Sequence, residues 1–135
     1  MFYNIDGEEK TAFFYSKNNF VSDYESYVKE VPSKMNFQAI EDTLLIEINK
    51  EMANAGLLAS QKLSNLAIKF MEDEFIVVQN LIRSMLTESP EKRYWDLIKG
   101  APEIVKKVPQ NQIASYLGIQ PESLSRIKKR IFQFS

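Results

Sequence analysis

The sequence predicts an α+β fold. Three observations carry that expectation: short alternating segments bounded by turn residues in the first fifty positions, an apolar-periodic run from Ser60 to Leu86, and a C-terminal stretch punctuated by Ser-Pro, Gly and Pro at helix boundaries. The first part reads as strands. MFYNI and TAFFY flank Asp6-Gly7, a dipeptide suited to the positive backbone angles of a tight hairpin turn. Residues Phe20 to Val31 mix aromatics and acids without a clean period and read as a connector. Met35 to Ala39 alternates, and Leu44 to Ile48 reads as a further strand after the Glu41-Asp42 turn. Four strands are therefore expected, with two sheet edges to be covered.

Asn49 to Met52 opens a short helix, which Gly56 is expected to interrupt. Leu63, Leu66, Phe70, Leu81 and Met85 then recur at helical spacing, with Ala67, Ile68, Met71, Phe75, Val78 and Ile82 widening the stripe. A stripe that wide suits contact both with its own domain and with a second copy of the chain. Ser89 and Pro90 supply an N-cap and a first helical residue, Gly100 a stop, and Pro102 and Pro109 bracket EIVKKV.

Composition narrows the function. The chain of 135 residues is 44% hydrophobic and 26% charged, with no Cys and no His. Disulfides, thiolate nucleophiles, the usual zinc sites and histidine acid/base chemistry are excluded together, and no spacing among the carboxylates and serines suggests a catalytic set. The expectation is a protein that is not an enzyme and uses no cofactor or metal. MFYNIDGEEK has neither the basic start nor the apolar run of a signal peptide, and no run is long enough for a bilayer, so a cytoplasmic location without membrane contact is expected. Charge is uneven: residues 1–88 carry 8 Lys/Arg against 14 Asp/Glu, net −6, and residues 89–135 carry 9 against 4, net +5. A basic C-terminal part suggests contact with a polyanion such as nucleic acid.

The stretch QNQIASYLGIQPESLSRIKKR explains that charge. Ile113, Ala114 and Leu117 share one helix face, Gly118 can turn the chain in the left-handed conformation, Ile119 plugs the turn and Pro121 starts a second helix. There Leu124, Ile127 and Ile131 pack back, while Ser123, Arg126 and Arg130 keep the same rhythm on the outer side. Two short helices joined by a glycine turn form a helix-turn-helix, whose second helix enters the major groove of DNA. Arg126 suits a bidentate contact to guanine, Glu122 can accept from cytosine, and Ser123 can reach a base edge or a phosphate. Lys128, Lys129 and Arg130 suit phosphates. Gln110, Gln112, Pro121 and Ser125 complete the candidate set.

The segment VPQNQIASYLGIQPESLSRIKKRI resembles the DNA-binding helix-turn-helix of the Crp/Fnr family of bacterial transcription regulators, in the short form of Bacteroidetes-type members. Upstream, FYSKNNFVSDYESYVKEVPSKMNFQAIEDTLLIEINKEM resembles the second half of that family's cyclic-nucleotide-binding β-roll, and SPEKRYWDLIKGAPEIVKKVPQ the lead-in to its reading head. The resemblance implies three parts: a partial antiparallel β-roll over residues 1–58, a dimerisation helix over 59–88 and a DNA-binding domain over 89–135. It also implies a homodimer on pseudo-palindromic promoter DNA, working with RNA polymerase. Ser22-Asp23 and Ser33-Lys34 stand where cyclic-AMP-binding members carry Gly-Glu and Arg-Ser/Thr. Lys34 is a point charge without the arginine fork, so cyclic AMP is not expected as the ligand. The start inside the sheet implies a β-roll short of its first strands, and the ending IFQFS implies no wing after the recognition helix. Two other function classes stay open: a regulator whose β-roll binds a different small molecule, and a protein-protein adaptor without DNA affinity.

Overall fold

The computed structural model describes residues 1–133, with side chains through Ile131. Phe134 and Ser135, the last residues of the expected DNA-binding domain and of the IFQFS ending, lie outside the described residues. The architecture is α+β: a small antiparallel sheet of three strands, and seven helices among the described residues. The chain divides into two compact units, residues 1–42 together with 89–135, and residues 43–88. The N-terminal hairpin thus groups with the C-terminal helices, and the short helix before Ser60 with the long one.

In the first unit, β1 (Phe2–Ile5) and β2 (Glu8–Thr11) form the expected hairpin, in register Phe2 with Thr11 and Ile5 with Glu8. Asp6 and Gly7 both adopt positive φ, 54° and 86°, and Asn4 Oδ1 accepts from the Gly7 N–H at 3.1 Å. The paired partner of β1 is EEKT rather than TAFFY. A two-residue turn places Glu8 directly opposite Ile5, so pairing ends at Thr11 and Phe14 is left to pack against the core. The segment expected as a connector contains α1 (Tyr24–Lys29), and β3 (Met35–Asn36) pairs antiparallel with β1 on its other side, giving the order β2-β1-β3. The alternation at Met35–Ala39 thus yields only two paired residues.

The C-terminal helices of this unit are α4 (Pro90–Gly100), α5 (Pro102–Lys107), α6 (Gln110–Tyr116) and α7 (Pro121–Gln133). Ser89 caps α4 by accepting from the Lys92 N–H at 3.2 Å, with Pro90 in the first turn. The core is built here: Tyr94, Val108, Ile113, Ala114, Leu117, Leu124 and Ile127 are buried, and Phe14, Leu97, Ile98, Tyr116, Ile119 and Ile131 pack around them. Tyr94 is wholly buried there, and burial holds its phenol above the ordinary tyrosine range.

In the second unit, α2 (Lys50–Ala59) is capped by Asn49, whose side chain accepts from the Met52 N–H at 2.8 Å, and runs straight through Gly56. One glycine inside a helix costs only about 1 kcal/mol, too little to stop it. Ser60 then ends α2 and caps α3 (Gln61–Thr87), the long helix of 27 residues, against which α2 packs. Leu44 to Ile48 is not a strand: it has no ladder partner, and Leu44, Leu45 and Ile46 are 95%, 75% and 88% exposed. Strand propensity by itself produces no pairing. No helix among the described residues is long and apolar enough to cross a membrane.

Candidate nucleic-acid interface

The site is built from the turn between α6 and α7. Gly118 takes φ 68°, the Ile119 N–H donates to the Ala114 carbonyl and the Gly118 N–H to that of Ser115, both at 3.0 Å. These are the paired bonds of a glycine-terminated helix, and they return Ile119 to the core beside Ala114. From α4, the Arg93 guanidinium donates to the Leu117 carbonyl at 2.7 Å and fixes the turn from behind. Gln120 then opens α7, its carbonyl accepting from Ser123 and Leu124 at 3.0 and 3.2 Å.

Because the spacing of Leu124, Ile127 and Ile131 holds one face of α7 against α6, the other face is left to solvent. Glu122, Ser125, Arg126, Lys129 and Arg130 are exposed, and Ser123 and Lys128 are half-buried at the flanks. Arg126, Lys129 and Arg130 line one open concavity. Arg126 donates to Ser123 Oγ at 3.2 Å, so the two residues expected to read bases already share one bond. Lys128 donates to Gln110 Oε1 at 3.0 Å, joining the start of α6 to the basic stretch of α7. Arg130 pairs with Glu91 on α4. Gln112 is engaged from outside the two helices: its amide donates to Gln38 at 3.4 Å. Such exposed contacts are weak and exchange readily with an incoming anion.

Besides Arg93, sequence reasoning missed three supporting residues. Ser115 accepts from the Thr11 N–H at 2.9 Å and donates to the Glu9 carbonyl at 3.2 Å, tying α6 to the edge strand β2. Phe14 adds a tilted ring contact with Tyr116, centroids 5.0 Å apart. Lys107, at the end of α5, meets both carboxylate oxygens of Glu41 at 2.9 Å, and that carboxylate holds its ammonium above the ordinary lysine range. Arg93, Ser115 and Lys107 act through partners distant in sequence, so no local pattern marks them.

The four cassette positions are partly brought together. Asp23 caps α1 by accepting from the Ser26 N–H at 3.2 Å, and Ser33 Oγ donates to its other oxygen at 2.8 Å. The Ser33 hydroxyl, with the Ser26 backbone, keeps the Asp23 carboxyl below the ordinary range. Asp23 and Ser33 are thus engaged with each other and with the backbone, while Ser22 and Lys34 are exposed beside them. No family model, no curated protein and no solved structure matches the chain.

Proposed function

We propose that the chain binds duplex DNA sequence-specifically as a homodimer and regulates transcription in the manner of the Crp/Fnr family it resembles, with α7 as the recognition helix. One observation carries the reading. A helix anchored by a buried face presents Arg126, Lys129 and Arg130 together on its opposite, exposed face, in the part of the chain that carries net +5. A helix of that kind following a glycine turn is the element that enters a major groove. Arg126 and Ser123 read base edges, while Lys128, Lys129 and Arg130, with Gln110, grip phosphates. RNA polymerase is the further partner, in the cytoplasm. The Asp23–Ser33 bond and the lysine at position 34 give no support to a cyclic-nucleotide ligand.

The homodimer rests on α3. Ile68, Met71, Phe75, Val78, Ile82 and Met85 repeat at alternating spacings of three and four, the seam of a two-stranded coiled coil. All but Met71 are exposed.

Selection from randomised duplex DNA at two salt concentrations tests the reading: an enriched palindrome whose binding weakens steeply with salt is expected. Arg126→Ala should then lower affinity for the selected site by about 1–3 kcal/mol while leaving random DNA almost unchanged. Equal losses on both would make Arg126 a phosphate contact instead.

A further inference from the structure

We propose that Lys107 is an additional phosphate-contacting residue of this surface and that Glu41 holds it out of use, so that the strap of residues 37–42 restrains DNA binding. The inference rests on the DNA-binding reading above. Lys107 ends α5, three residues before Gln110, and the backbone between them is pinned by buried Val108. It therefore stands at the entrance to α6, next to the residue that holds Lys128.

The partner of Lys107 is unlike its neighbours' partners. Lys92 pairs with Asp96 and Lys106 with Glu103 within their own helices, the ordinary pattern of a solvated face. Glu41 instead lies 66 positions away and offers two oxygens to one ammonium, as a phosphate group would. Gln38, on the same strap, accepts from Gln112 on α6. The strap thus engages two side chains at the entrance to α6 and sets the Glu41 carboxylate where a phosphate would approach. Its hold is light: Lys107 and Glu41 are 48% and 61% exposed, so removing the carboxylate releases Lys107 at little cost to the fold.

The test compares the wild-type chain with Glu41→Gln, Asp42→Asn, Lys107→Gln and the double variant E41Q/K107Q, on the selected site and on random duplex across a salt series. Glu41→Gln should tighten binding to both DNAs by up to about fivefold, the equivalent of one exposed pair, and steepen the salt dependence by about 0.9, the share of one phosphate contact. Adding Lys107→Gln should return that slope to the wild-type value. The inference is overturned, with DNA binding intact, if Glu41→Gln leaves the slope unchanged or if Asp42→Asn gives the same gain through net charge alone. Salt-insensitive or absent binding by both wild type and Glu41→Gln would instead remove the DNA-binding reading, and this inference with it.

Discussion

Ser115 shows how one side chain can join two elements. β2 is an edge strand in the order β2-β1-β3, and an edge leaves backbone donors and acceptors without a ladder partner. The Ser115 hydroxyl accepts from Thr11 and donates to Glu9, so a helix residue completes that strand's bonding. Ser115→Ala should leave the half-buried Thr11 N–H unsatisfied and destabilise the unit by about 1 kcal/mol. Urea unfolding should show a lower midpoint at unchanged slope; an unchanged midpoint would mean that water replaces the hydroxyl without loss. Nothing near Ser115 in the sequence announces this role. Its helix pattern marks it as off the apolar face, and its partners lie more than a hundred residues away.

At the scale of elements, Gly118 governs the angle between α6 and α7. A Cβ added there would meet nothing within 4 Å, so the whole effect of a substitution is conformational. Gly118→Ala should cost about 1–2 kcal/mol, the penalty of a left-handed L-residue, and Gly118→Asn less, since asparagine tolerates that region. Equal Tm losses for the two would point to packing instead of backbone strain. The same contrast explains what was legible. Ser89-Pro90, Gly118 and Pro121 act on their own few residues, so the ends of α4, α6 and α7 and the buried Ile113, Ala114, Leu117, Leu124 and Ile127 could be read directly. The Asp6-Gly7 turn was readable for the same reason. Leu44 to Ile48 has strand-forming residues, but a strand needs a partner edge, and its own residues do not say whether one is free. Phe14 failed as a strand residue because register, set by the turn, carried it past the end of β1 and onto the core. Of the candidate site, the exposed cationic face of α7 was legible from period alone. Lys107, Arg93 and Ser115 were not, since each depends on a contact across the fold.

At the scale of the whole molecule, charge and apolar surface are segregated along the chain. The basic excess lies in residues 89–135, while the exposed apolar seam lies on α3, where no residue is buried. A helix of 27 residues spans roughly 40 Å at the standard rise, enough for the three-heptad seam from Ile68 to Met85. Covering the exposed part of such a seam on two copies supplies on the order of 10 kcal/mol from apolar burial. That is comparable with the roughly 4–15 kcal/mol cost of association, so the proposed dimer is balanced closely enough for two introduced charges to abolish it. Ile and Phe at one seam position and Val and Met at the other leave no buried polar group to oppose it. Phe75→Glu combined with Ile82→Glu should therefore convert a dimer into a monomer by sedimentation velocity. Both side chains are exposed, at 64% and 54%, so the single chain should keep its helical content. On the proposed DNA-binding reading a monomer engages one half-site, and selected palindromic DNA should then bind no more tightly than a single half-site. A double variant that remains a dimer would place the assembly surface away from α3, and a wild-type chain that sediments as a monomer at high concentration would remove the homodimer from the proposal.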